Sequence, residues 1–251
     1  MKTRIITALF LLAFLVFLVA VDNYYLNFFT LLAILIFSFL EASKLYKIQS
    51  KLLLIVAILE FGFLLILNSE APFSDAIKIS FFAIIVICSY YALTMKPQIN
   101  STILLIYPTI PIMFLFELYD YFGMDHVCWL ILTIAACDSG AYFVGKKFGK
   151  HKFTQTSPNK TIEGVIGGVI VSLIFSLIYS QIFFNYDFKT IFFMTIVVVI
   201  FGIFGDLFES YLKRKAEVKD SGTIFPGHGG MLDRVDGYLF GVIGAFLFLA
   251  W

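Results

Sequence analysis

The chain has 251 residues, of which 61% are hydrophobic and 14% charged, and its mean hydropathy is +0.95. Soluble domains carry about 25% charged residues, so a water-soluble globular protein is excluded and a lipid bilayer is the expected solvent. A formal net charge of +1 offers no basis for a nucleic-acid partner; only the placement of the charges can inform.

In chain order, the N-terminal stretch "MKTRIITALFLLAFLVFLVAVDN" has two basic residues ahead of an apolar run. The run is long for a signal sequence and further spans follow, so it reads as a retained first helix. A membrane helix needs about 20 apolar residues, and nine runs qualify: 5–20, 24–40, 52–67, 77–95, 102–119, 126–145, 162–184, 190–212 and 237–251. They lack two-residue alternation, and lipid leaves no partner for open backbone groups, so helices are expected rather than a barrel. The three cysteines, Cys88, Cys128 and Cys137, sit in or beside these runs without zinc or redox spacing.

Cytoplasmic loops are enriched in Lys and Arg. With the N-terminus inside, 16 of the 18 basic residues fall on the cytoplasmic side, including Lys96; only Lys78 and Lys189 do not. The opposite loops, "NSEAPFSD" and "LYDYFGMDH", are acidic or neutral. The expected fold is therefore all-α: a polytopic integral membrane protein with about nine transmembrane helices and a cytoplasmic N-terminus. Residues 1–125 are plain spans with short loops, whereas 126–251 carry two long polar cytoplasmic loops, about 146–161 and 213–236. One membrane domain with its chemistry in the C-terminal half follows.

Asp206 lies inside the apolar run "IFGIFGDLFES", where a carboxylate must be paired, hydrated or bound to a cation. Glu209 and Ser210 share its helical face. Asp233 and Asp236, three apart, should share a face of the last helix's first turn, and with Asp206 they supply the hard oxygen ligands that Mg²⁺ prefers. Gly222, Gly227, Gly229 and Gly230 surround Pro226 and His228. A glycine loop entering a helix N-terminus presents free N–H groups suited to phosphate, although a tight turn would use the same residues. Lys213 and Arg214, next to Asp206 and Ser210, suit phosphate oxygens, while Lys215 reads as an ordinary membrane anchor. In the other loop, Asp138 is a second intramembrane carboxylate. "SPNKTIEG" has the composition of a helix start, with Ser157 and Asn159 as polar caps. Its Lys160 and Thr161 lack Walker spacing. Together these features point to phosphoryl or nucleotidyl transfer to a membrane lipid.

The series Ser210-x-x-Lys213-Arg214, then Lys219-Asp220, then Pro226-Gly-His228-Gly229-Gly230-x-x-Asp233-Arg234-x-Asp236 resembles the signature of the phosphatidate cytidylyltransferases, or CDP-diacylglycerol synthases. "DSGAYFVGKKFGK" and "SPNKTIEGVIGG" resemble a second block of that family, with Ile162 where a larger residue is expected and Asn159 where lysine is common. The resemblance implies transfer of CMP from CTP to phosphatidate, releasing pyrophosphate, at the cytoplasmic face of a bacterial inner membrane. It further implies Mg²⁺ with a second cation, Mg²⁺ or K⁺, and a homodimer. Asp206, Asp233 and Asp236 would hold metal, with Ser210, Lys219 and Asp220 completing the catalytic set. Asp138, Lys160, Thr161, Lys213, Arg214, His228, Gly229, Gly230 and Arg234 would bind substrate. The alternatives are a CTP-dependent polyisoprenol kinase, a cytidylyltransferase for another lipid, and a cation transporter.

Overall fold

The computed structural model describes residues 2–67, 71, 73–95 and 98–250, with side chains from residue 6 onward. Lys96 and residues 68–70 and 72 of the "NSEAPFSD" loop lie outside the described residues. Each of the nine apolar runs forms a helix: α1 Lys2–Val21, α2 Tyr24–Leu45, α3 Lys51–Phe63, α4 Ser74–Leu93, α5 Ile110–Phe122, α6 Met124–Phe148, α7 Ile162–Phe183, α8 Phe188–Lys215 and α9 Leu232–Leu249. No strand occurs among the described residues.

Among the described residues six helical segments are long and apolar enough to cross a membrane: α2, α4, α6, α7, α8 and the segment Ile99–Phe122 that ends in α5. Within that last segment the chain bends at Tyr107 (φ −133, ψ 120), because the residue before a proline is pushed toward extended backbone. Of the other helices, α3 has 13 residues and α9 opens with Asp233, Arg234 and Asp236; of α1, the apolar part with described side chains is Ile6–Val21.

Two compact units emerge: the helices up to Phe122 with Lys215–Val235, and Gly123–Arg214 with the chain from Asp236 onward. The first is centred on aromatic rings. Phe28 of α2, Phe61 of α3 and Phe116 of α5 stand 4.9, 5.2 and 5.6 Å apart between ring centroids, in tilted and edge geometries that suit ring quadrupoles. Buried acids tie neighbouring helices. Phe73 precedes α4 with φ 61 and offers no side-chain cap. Glu117 of α5 takes over that role, accepting the Ala76 N–H at 3.1 Å and so satisfying one of the open donors of a helix start. Ser80 of α4 donates to Glu60 of α3 at 3.3 Å.

In the second unit, α6 and α7 pack backbone to backbone. A Cβ on Gly140 would lie 2.8 Å from Val171, one on Gly164 2.8 Å from the Ala141 carbonyl, and one on Gly168 2.7 Å from the Cys137 carbonyl. Small residues allow this approach where lipid offers no hydrophobic drive between helices. A buried polar chain crosses three helices: Trp129 Nε1 donates to Ser176 Oγ at 2.6 Å, and Ser176 Oγ lies 2.6 Å from Thr195 Oγ1. Ahead of α8, the Asp187 carboxylate accepts the Thr190 hydroxyl at 2.5 Å and the amides of Lys189 and Thr190 at 3.1 and 3.2 Å. These bonds, the Thr190 hydroxyl foremost, hold its carboxyl below the usual range.

Because the atom facing Gly168 is a backbone carbonyl that cannot swing away, Gly168→Ala should cost about 1–3 kcal/mol by overpacking. Gly62→Ala, with nothing within 4 Å of the new methyl, should be neutral or gain roughly 0.5–1 kcal/mol from helix propensity. Thermal unfolding in detergent micelles measures both, and equal melting temperatures for the two variants would contradict the α6–α7 packing.

Candidate functional site

Two polar clusters hold the residues singled out in the sequence, one in each unit. In the second unit, the loop between α6 and α7 folds back on itself. Phe153 N donates to the Lys160 carbonyl at 2.9 Å, Ile162 N to the His151 carbonyl at 2.9 Å, and Lys160 N to Ser157 at 3.0 Å. Glu163 fastens the loop by accepting the amides of Lys150 and His151 at 3.1 and 3.3 Å, with His151 Nδ1 2.6 Å from its Oε1. The cap of α7 is Thr161, which accepts Gly164 N at 3.1 Å, rather than Ser157 or Asn159. These two lie in the turn that presents Lys160.

The consequence is an ion pair between Lys160 and Asp206 of α8, with Ser210 Oγ 3.4 Å from the other Asp206 oxygen. Lys160 also lines a cleft of about 520 Å³ together with Asp138, Lys146, Asn159 and Thr161. Helices α8 and α9 approach so closely at Gly205 that a Cβ there would run into the Asp236 carbonyl. Asp236 accordingly feels Asp206, Lys213 and Asp138, and its Oδ1 accepts Gly237 N at 2.8 Å. Lys213 is ion-paired with Glu209, whose side chain is 0% exposed, so it is tied to α8 itself.

Asp206 pairs with Lys160 and Glu209 with Lys213, and Asp236 lies within electrostatic reach of Asp206, Asp138 and Lys213. The excess of negative charge and the all-oxygen donor set fit a hard divalent cation. Among the described residues, however, no three His, Cys, Asp or Glu side chains converge as a ready ligand group, and the Lys160 ammonium sits on Asp206.

The first unit holds the glycine loop and the start of α9. Phe225 N bonds to the Gly229 carbonyl and His228 N to the Phe225 carbonyl, both at 2.9 Å. Gly229 has φ +83, a left-handed conformation that glycine adopts without steric cost. Asp233 Oδ2 accepts from Ser221 N and Gly230 N, both at 2.8 Å, and lies 2.9 Å from Ser221 Oγ. Glu41, near the end of α2 and 3% exposed, accepts Met231 N at 3.0 Å, Leu232 N at 2.8 Å and Ser221 Oγ at 2.8 Å. The N–H groups expected to receive phosphate at this helix start are therefore taken by two carboxylates of the chain. His228 keeps a buried Nδ1 without a hydrogen-bond partner among the described residues. Arg214, Lys219, Asp220 and Arg234 are exposed.

The sequence model of the cytidylyltransferase family matches residues 2–251. The chain belongs to the cytidylyltransferase family. It is similar to a phosphatidate cytidylyltransferase of Helicobacter pylori, 34% identical over 245 residues that cover 97% of this chain and 90% of the relative. It is also similar to the phosphatidate cytidylyltransferase of Bacillus subtilis, 33% identical over 256 residues covering 96% and 94%. A Staphylococcus aureus relative of the same name is 40% identical over 136 residues, about half of each chain at 53% and 52%. The family resemblance seen in the sequence is thus borne out, and the protein is a nucleotidyltransferase.

Glu41, Ser221 and the Glu163–His151 pair are the site residues that sequence reasoning missed. Glu41 carried a usable signal, a carboxylate at the end of an apolar run, the same feature that drew attention to Asp206. Expecting the second helix to stop at residue 40 hid it; α2 runs to Leu45.

Removing Lys213 would take its ion-pair partner from the buried Glu209 carboxylate, and breaking a buried pair from one side typically costs about 3–5 kcal/mol. Lys213→Met should therefore lower the melting temperature sharply, and adding Glu209→Leu should restore most of it. If the double variant melts as low as the single one, the pair is not what makes Lys213 matter.

Proposed function

We propose that the protein transfers CMP from CTP to phosphatidate, giving CDP-diacylglycerol and pyrophosphate. The observation that carries this reading is the placement of Lys160. It both lines the polar cleft and pairs with Asp206, so a cationic group able to meet a polyphosphate sits beside an anionic group able to meet a metal. The names of the full-length relatives support the lipid and nucleotide substrates.

In the proposed step an oxygen of the phosphatidate phosphate bonds to the α-phosphorus of CTP. The bond from that phosphorus to the bridging oxygen breaks, and its electron pair leaves with pyrophosphate. The nucleophile is already anionic, so the step needs no strong base, and catalysis rests on positioning and charge neutralisation. In the second unit Lys160 and exposed Arg214 meet phosphate oxygens, and Thr161 and Asp138 shape the cleft; in the first unit exposed Lys219 and Arg234 and the buried Nδ1 of His228 are the groups we assign to substrate. Asp206 and Asp236 are the carboxylates we assign to Mg²⁺, which when bound neutralises the attacking and leaving oxygens. A second cation is part of the same reading. Asp233 is assigned to the loop it holds, with Asp220 beside that loop, while Ser210 orients Asp206. Nine transmembrane helices, a cytoplasmic N-terminus, a site on the cytoplasmic face of a bacterial inner membrane, and a homodimer complete the proposal; the distribution of Lys and Arg supports the orientation.

CTP labelled separately at the α and γ phosphates, incubated with phosphatidate and detergent-solubilised protein, tests the reaction. Label from the α position should enter lipid; γ label in lipid would instead indicate a kinase. Activity in detergent, where no compartments exist, would set aside transport as the primary role. EDTA should abolish the transfer and added Mg²⁺ restore it. Asp206→Asn and Asp236→Asn should each remove activity while the helices stay folded by circular dichroism, and near-normal turnover in either would refute the metal assignment. Arg214→Ala should be more damaging than Lys215→Ala.

A further inference from the structure

Glu41 has no part in the chemistry proposed above, yet both of its carboxylate oxygens accept hydrogen bonds. It sits near the end of α2, 3% exposed. Its three hydrogen bonds all go to a segment about 180 residues away in the chain: Ser221 Oγ at 2.8 Å, Met231 N at 3.0 Å and Leu232 N at 2.8 Å. Burying a carboxylate is costly unless its oxygens are satisfied. Here both oxygens accept, and two of the donors belong to the start of α9.

The first amides of a helix have no intrahelical partner, and the helix start carries partial positive charge that favours an anion. Glu41 therefore caps α9 from another helix. Asp233 closes the arrangement from within α9 by accepting Gly230 N and Ser221 N, both at 2.8 Å. Ser221 Oγ lies against both carboxylates, 2.8 Å from Glu41 and 2.9 Å from Asp233.

Two glycines are fitted to this carboxylate. A Cβ at Gly222 or at Gly230 would collide with the Glu41 oxygens themselves. Neither has positive φ, so the absence of a side chain there serves close approach rather than backbone conformation. The glycine pattern of the loop is thus explained in part by Glu41.

We propose that Glu41 is a positioning residue for nucleotidyl transfer: a buried anionic latch that fixes the glycine loop and the start of α9, and with them His228. The proposal rests on the cytidylyltransferase reading above. It involves no contact between Glu41 and substrate.

The test combines hydrogen–deuterium exchange with steady-state kinetics on full-length protein in detergent. In Glu41→Ala, amides of residues 221–232 should exchange faster while those of α6 and α7 keep wild-type protection. Loss of about 10²-fold in kcat is expected, the scale of a misplaced catalytic group, with KM for CTP changed far less. Glu41→Gln keeps the shape and one acceptor and should fall between. Gly222→Ala alone should reproduce the defect, whereas Gly222→Ala added to Glu41→Ala should cost nothing further, because the clashing carboxylate is gone.

Wild-type exchange and wild-type kcat in Glu41→Ala would overturn the proposal. So would faster exchange spread over the whole chain with unchanged kcat per folded molecule, which marks a general stability role. Strictly additive effects of the two substitutions would also overturn it. If wild-type protein transfers no α label to lipid, the reaction assignment falls, while the exchange measurements still decide whether the latch exists.

Discussion

A carboxylate inside an apolar helical protein is expensive unless each of its oxygens finds a donor or a counter-charge. The helices of this protein carry Glu41, Glu60, Glu117, Asp206, Glu209 and Asp236. Each local solution recruits a different part of the chain. Glu117 takes a backbone amide of α4 and Glu60 a serine hydroxyl of the same helix, each through one oxygen, the other being buried without a hydrogen-bond partner among the described residues. Glu209 takes a lysine one turn along its own helix, Asp206 a lysine from a loop, and Glu41 the start of α9. Acid placement therefore decides which loops are pinned and where.

The glycines answer the same constraint from the other side. Backbones must come close for carbonyls and carboxylates to meet their partners. In α6 and α7, Gly140, Gly164 and Gly168 let one backbone lie on the other, and Thr161 caps α7 at the end of that contact, just after Lys160. In the loop before α9, Gly222 and Gly230 make room for Glu41. A glycine-rich segment that resembles a phosphate cradle thus serves in part as a socket for a carboxylate of the chain.

Much of the fold was legible because its signal is periodic and long. Among the described residues each apolar run contains an α-helix, six helical segments being long and apolar enough to cross a membrane, and membrane solvent leaves helices as the natural outcome for such runs. Asp206 and Asp236 were legible as acids where acids are costly. Lys160 was legible as a cation beside a cap, but its partner was not: Lys160 and Asp206 are 46 residues apart, and nothing local in either segment names the other. The stop expected at residue 40 concealed Glu41, since a helix continues as long as its backbone bonds can and does not end at the first charge.

The sequence by itself determined an all-helical membrane protein, the family to which it belongs, and the acidic, basic and glycine positions from which a site can be made, because composition and fixed spacing act locally along the chain. Only the tertiary structure decided which charge meets which. Lys213 goes to Glu209 and Lys160 to Asp206, while the amides at the start of α9 go to Glu41 and Asp233 rather than to a phosphate. Pairings of this kind depend on helix approach distances of a few ångströms, set by the packing of small residues far apart in sequence.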